Sequence, residues 1–88
     1  MPRAKDTELH SPQTEAAMFY GLFLRGHSAD SLRAEIDVSP KLLDKWMRAR
    51  EYDEDFRDQL RRLYVYRKRV LAIFDSLVSS TQAQSAWQ

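Results

Sequence analysis

Apolar residues recur along this chain at helical spacing, and no stretch alternates apolar and polar as a half-buried strand would. Four segments carry the pattern. The first opens on Ser11-Pro12: the hydroxyl can accept from free amides at a helix start, and proline fits the first turn, where its missing N–H costs nothing. This segment runs to Arg25 with Ala16, Phe19 and Phe23 on one side and Met18 and Leu22 on another, so the helix needs cover on more than one face. Gly26 suits its stop.

Ser28 is placed to cap a short second helix, "ADSLRAEI", which puts Ala29, Leu32 and Ile36 together. Asp37 tolerates the left-handed conformation better than most residues, so a sharp turn is expected before Val38. Ser39-Pro40 repeats the capping device and opens a third helix to about Arg50, with Trp46 as its expected anchor in the core. Asp53, Glu54 and Asp55 then place negative charge where a helix dipole favours it, at the start of a long helix over residues 54–78. Along it, Phe56, Leu60, Leu63, Arg67, Val70, Phe74 and Leu77 alternate spacings of four and three, a heptad seam that Tyr64, Leu71 and Val78 widen. Residues 1–10 and 79–88 lack periodicity and read as a disordered arm and tail. The expected fold is all-α, one helical domain over residues 11–78 in which a tri-helical head precedes one long C-terminal helix.

Composition narrows the function more than the fold. With 88 residues the core must be small, and with no cysteine it has no disulfide to reinforce it. The absence of cysteine fits a reducing compartment, no apolar run approaches a membrane span, and the leading "MPRAKDTELH" is charged; a cytoplasmic protein is the expectation. His10 and His27 have no partner at metal-ligand spacing, and "EYDED" lacks the alternating ligands and glycine of a calcium loop. No nucleophile elbow, phosphate-cradling glycine loop or Cys/His pair is present. No catalytic residue, metal, cofactor or small-molecule ligand is therefore expected, and the chain does not read as an enzyme.

The net charge of +1 hides a sorting of charge along the chain. Residues 28–60 hold six Lys/Arg against nine Asp/Glu, whereas residues 61–88 hold five against one. Within the third helix, "VSPKLLDKWMRAR", a turn of about 100° per residue gathers Lys41, Asp44, Lys45 and Arg48 into one narrow sector and leaves Leu42, Leu43, Trp46 and Met47 on the other side. An apolar back and a mostly cationic front can seat on a core while facing a polyanion.

Leu32, Ile36, Val38, Leu43 and Trp46 occupy the five apolar positions of a pattern that resembles the helix-turn-helix DNA-binding family, with "LRAEIDVS" in place of a sequence such as "LARELGVS". The resemblance covers residues 28–48, with the first helix as a supporting helix. It implies that the second helix of the pair enters the major groove, presenting Ser39, Pro40, Lys41, Asp44, Lys45 and Arg48, with Arg50 just beyond them. Arg33 stands where the family has a small residue, and Asp37 where it has the turn glycine. "WMRAREYDEDFRDQL" is also similar to homeodomain-like modules of phage terminase small subunits and transposases.

Three further expectations follow. Arg61, Arg62, Lys68 and Arg69, interleaved with tyrosines, form a second candidate phosphate surface, and "PRAK" near the start could enter a minor groove. Leu60, Leu63, Arg67, Val70, Phe74 and Leu77 are the expected dimer interface, pairing two long helices and setting the spacing of two recognition helices. The expected protein is a small homodimer on double-stranded DNA, a transcriptional regulator or the DNA-recognition subunit of a phage or mobile-element system. The alternative is a helical adaptor that docks a partner protein on the seam of helix 54–78.

Overall fold

A computed structural model describes residues 11–86, with side chains as far as residue 82. The expected arm, its "PRAK" stretch and the final two residues lie outside the described residues. Four helices occupy the rest, and no strand occurs among the described residues: α1 Pro12–Leu24, α2 Ala29–Ile36, α3 Pro40–Arg48 and α4 Glu54–Ala86. The protein is all-α.

Local chemistry starts each helix. The Oγ of Ser11 accepts from the Thr14 amide at 3.1 Å, that of Ser28 from Ser31 at 3.3 Å and that of Ser39 from Leu42 at 3.1 Å, with proline following the first and the last. α4 has a cap as well as a favourable dipole, because Asp53 Oδ1 accepts from the Phe56 amide at 2.8 Å. α1 ends where Gly26 adopts φ +109°; the amides of Gly26 and His27 reach back to the carbonyls of Phe23 and Leu22. That pair of bonds closes the helix end and requires a residue without a Cβ in the left-handed region.

The three short helices lie along α4, which at about 1.5 Å per residue accounts for the molecule's long dimension. The extents are 54 × 38 × 16 Å, so the protein is a slab in which the short helices form a single layer on the long one. Its core sits at one end. Ala16 and Phe19 from α1, Leu32 and Ile36 from α2, and Val70, Phe74 and Val78 from α4 form one buried cluster, and Phe23 meets Phe74 edge-on at 6.4 Å between ring centroids. Polar ties flank it. Arg33 Nε donates to Asp75 at 2.6 Å, Lys68 Nζ to Asp37 at 2.6 Å, and the hydroxyls of Tyr20 and Thr81 are hydrogen-bonded.

Three expectations change. First, α4 continues to Ala86, through most of the segment expected to be a disordered tail. No Gly or Pro interrupts it, each added residue extends an existing ladder, and half-buried Thr81 finds a partner in Tyr20. Second, Trp46 is not a core anchor: it is half-buried, no residue of α3 is buried, and none joins the core cluster. α3 covers the first half of α4 only partly.

Third, the heptad seam is not one surface. Val70 and Phe74 are completely buried within the chain by α1 and α2, so they cannot face a second copy. Leu77 is half-buried, as are Leu60 and Arg67, while Leu63 is exposed. Asp75 and Asp58, on the same helix as Arg67, are engaged within the chain, with Arg33 and Arg61.

Candidate nucleic-acid interface

α3 is held at its end and left open on its front. The carbonyl of its C-terminal capping residue is tied to α4, from which Arg57 Nη2 donates to the Ala49 carbonyl at 2.8 Å. Leu43, Trp46 and Met47 are half-buried, whereas Lys41, Asp44, Lys45 and Arg48 are exposed and line a single shallow hollow of about 450 Å³ with Ala49 and Glu51. The facing read from the sequence is the facing observed except at Leu42, which is expected on the apolar back and is exposed. Asp44 Oδ2 lies 3.2 Å from Arg48 Nε, an i,i+4 pair that steadies the guanidinium and removes part of its charge from the front. Lys41 and Lys45 have no carboxylate partner among the described residues. Ser39 is exposed but its oxygen already caps α3, so only its hydroxyl proton remains to donate. Arg50 is exposed beyond the helix end, which comes two residues earlier than expected because Ala49 is extended.

The connection from α2 to α3 departs from the compact helix-turn-helix. Asp37 has φ −76° and ψ 151°, Ser39 is likewise extended, and no described non-glycine residue has positive φ. No Cα of α2 comes within 8 Å of one in α3. The cause is visible in the side chains. Asp37 Oδ1 accepts from the Val38 amide at 2.9 Å and from Lys68 at 2.6 Å, which holds the backbone extended and draws it onto α4. Arg33 turns away from α3 altogether, to Asp75 and, at 2.8 Å, to Asp30. Leu32, Ile36 and Val38 are buried as the family spacing implies, but Leu32 and Ile36 seal α2 against α1 and α4 rather than against α3.

The second basic cluster divides. Arg61, Arg62 and Arg69 line a hollow of about 400 Å³ with Val65 and Tyr66, although Arg61 is paired to Asp58 at 2.5 Å. Arg62 and Arg69 are exposed without an ion pair among the described residues. Lys68 does not belong with them as a phosphate contact: its ammonium is a strut between α4 and the α2–α3 connection and lies 5.2 Å from the Tyr64 ring centroid. The hydrogen bond to Asp37 raises the Lys68 pKa above its ordinary value, against a smaller opposing effect of burial. Arg33 is raised likewise, first by its hydrogen bond to Asp75, and Tyr66 is raised by burial and then by Glu15. No group of His, Asp and Glu able to hold a metal ion occurs among the described residues. Among the same residues, no helix is long and apolar enough to cross a membrane.

Arg33, Arg57 and Lys68 are the residues whose roles sequence reading missed. Each acts on a backbone or carboxylate distant in sequence, and nothing local to these residues marks that partner.

The arrangement defines a small all-α protein with an amphipathic helix that turns a cationic front to solvent. No protein-family model matches the sequence, and no curated protein or solved structure matches it.

Proposed function

We propose that this protein binds double-stranded DNA, with α3 lying in the major groove. The observation that carries the reading is the front of α3: Lys41 and Lys45 have no ion-pair partner among the described residues, Arg48 is half-neutralised, and all three sit on a helix outside the core. A single α-helix fits the B-DNA major groove, and Lys or Arg on its front can meet phosphates or the O6 and N7 of guanine. Asp44 can accept from the cytosine N4 amino group or keep Arg48 aligned. Because α2 does not press against α3, α4 is the one described helix that supports it, and its docking follows that support rather than the compact helix-turn-helix crossing. Arg69, exposed on α4, offers a second contact to the backbone. A transcriptional regulator or a DNA-recognition subunit of a mobile element is the role this would serve.

The test is fluorescence anisotropy of a random-sequence duplex titrated with the full chain at several salt concentrations. The wild type is expected to bind at low salt and weaken as salt rises. The Lys41→Ala, Lys45→Ala, Arg48→Ala triple variant is expected to keep its helical circular dichroism, bind much more weakly, and lose about 0.9 from the log–log salt slope for each phosphate contact removed. Equal affinity in the folded triple variant would take α3 out of the interface.

A further inference from the structure

One face of α4 is exposed over two turns and carries a self-complementary pattern. Asp55, Phe56, Gln59, Arg62 and Leu63 are all exposed, Phe56 at 42% and Leu63 at 38%, and α1 begins only at the level of Tyr66, to which Glu15 is bonded. With Gln59 as the reference and about 100° per residue, Phe56 and Leu63 fall near +60° and +40°, Arg62 and Asp55 near −60° and −40°. The face therefore has two parallel rails, one apolar and one charged. In each rail the two residues are seven apart, and the two rails are centred half a residue to either side of Gln59. Asp55 and Arg62 have no ion-pair partner among the described residues.

From this pattern we infer that a second copy of the chain docks here, α4 against α4 in antiparallel, about a two-fold axis beside Gln59. A two-fold perpendicular to the helices brings like rail onto like rail and reverses it. Phe56 then meets Leu63 of the second copy, Asp55 meets Arg62, and each pairing occurs twice, as an isologous interface demands. A parallel two-fold would instead oppose the apolar rail to the charged one at equal height, setting Phe56 beside Asp55. The pairing also uses what the fold leaves over, since Val70 and Phe74, further along the helix, are already buried inside the chain. It replaces the seam expected from the sequence, retaining only Leu63, and it employs Arg62 as an ion-pair partner rather than a phosphate contact.

Two turns of helix bury little area, so the association belongs in the micromolar-to-millimolar range. Sedimentation equilibrium of the full chain over that concentration range tests it. The average mass should climb from the 10.4 kDa of one chain toward twice that value. Asp55→Arg and Arg62→Asp should each weaken association by about tenfold or more, because each sets like charges opposite one another twice. The double reversal, Asp55→Arg with Arg62→Asp, should restore it. These positions are exposed, so circular dichroism should be unchanged throughout; Phe56→Ser offers an uncharged check and should also leave a monomer. A wild type that stays at 10.4 kDa at every concentration, single reversals that dimerise as well as wild type, or a double reversal that fails to recover would each overturn the inference. DNA binding by a strictly monomeric chain would refute this pairing and leave the proposed function standing.

Discussion

Replacing Phe74 with alanine removes the largest completely buried side chain of the core. The ring lies among Ala16, Phe19, Leu32, Ile36, Val70 and Val78 and meets Phe23 edge-on, so atoms supplied by three helices would surround the void. Emptying a buried phenylalanine costs about 3–5 kcal/mol, with the upper end where the walls cannot collapse. A chain of this length has a total stability of roughly 4–13 kcal/mol. Phe74→Ala should therefore consume most of it, lowering the urea midpoint steeply and leaving the variant partly unfolded at 37 °C. Trp46→Ala is the control. Trp46 is half-buried and outside the core cluster, so its loss should cost about 0.8–1.5 kcal/mol, half of what full burial of a large apolar side chain contributes. Urea unfolding followed at 222 nm on both variants gives the comparison. A Phe74→Ala loss under about 1 kcal/mol, or a larger loss in Trp46→Ala, would refute the placement of the core and return Trp46 to the position of anchor.

Three more outcomes are expected. Thr81→Val keeps the side-chain shape but breaks the hydrogen bond to Tyr20, so thermal melting should show a loss of about 0.5–1.5 kcal/mol; no loss would mean that the last turns of α4 do not dock. Gly26→Ala forces a Cβ into a backbone at φ +109°, and although the space around it is open, the conformation itself should cost about 1–2 kcal/mol in the same assay. Lys68 and Tyr66 both have folded pKa values above their unfolded ones, so their contribution is complete below the unfolded values near pH 10 and is lost as pH climbs through the folded ones. The melting temperature should stay level from about pH 7 to 9 and fall above about pH 10; a rise there would contradict both assignments.

What was legible in the sequence was what is decided locally. The Ser-Pro starts, the glycine stop and the facing of α3 depend on residues three or four apart, and the structure places them as the spacing implies, apart from Leu42, which is exposed. The phase of the α4 seam was readable for the same reason. Its burial was not, because that depends on where the short helices land: Val70 and Phe74 lie under α1 and α2, while Phe56 and Leu63, in the same phase, do not. Asp37 shows the same division. Its intrinsic tolerance of a sharp turn yields to two hydrogen bonds, one of them from Lys68, thirty-one residues away. Thr81 reverses the case at the far end, where a segment without apolar rhythm stays helical and meets Tyr20. For the candidate site, the Asp44–Arg48 pair was implicit in i,i+4 spacing, but nothing along the chain separates Lys68, a strut, from Arg62 and Arg69, its open neighbours.

The claim that α3 is the DNA-contacting element is tested most directly by following the backbone amide resonances of the full chain during titration with a short duplex. Shifts concentrated on Ser39 to Arg50, diminishing as salt is raised and lost in the Lys41, Lys45 and Arg48 triple variant, are the predicted result. Shifts confined to residues 61–69, or none at any salt, would contradict it.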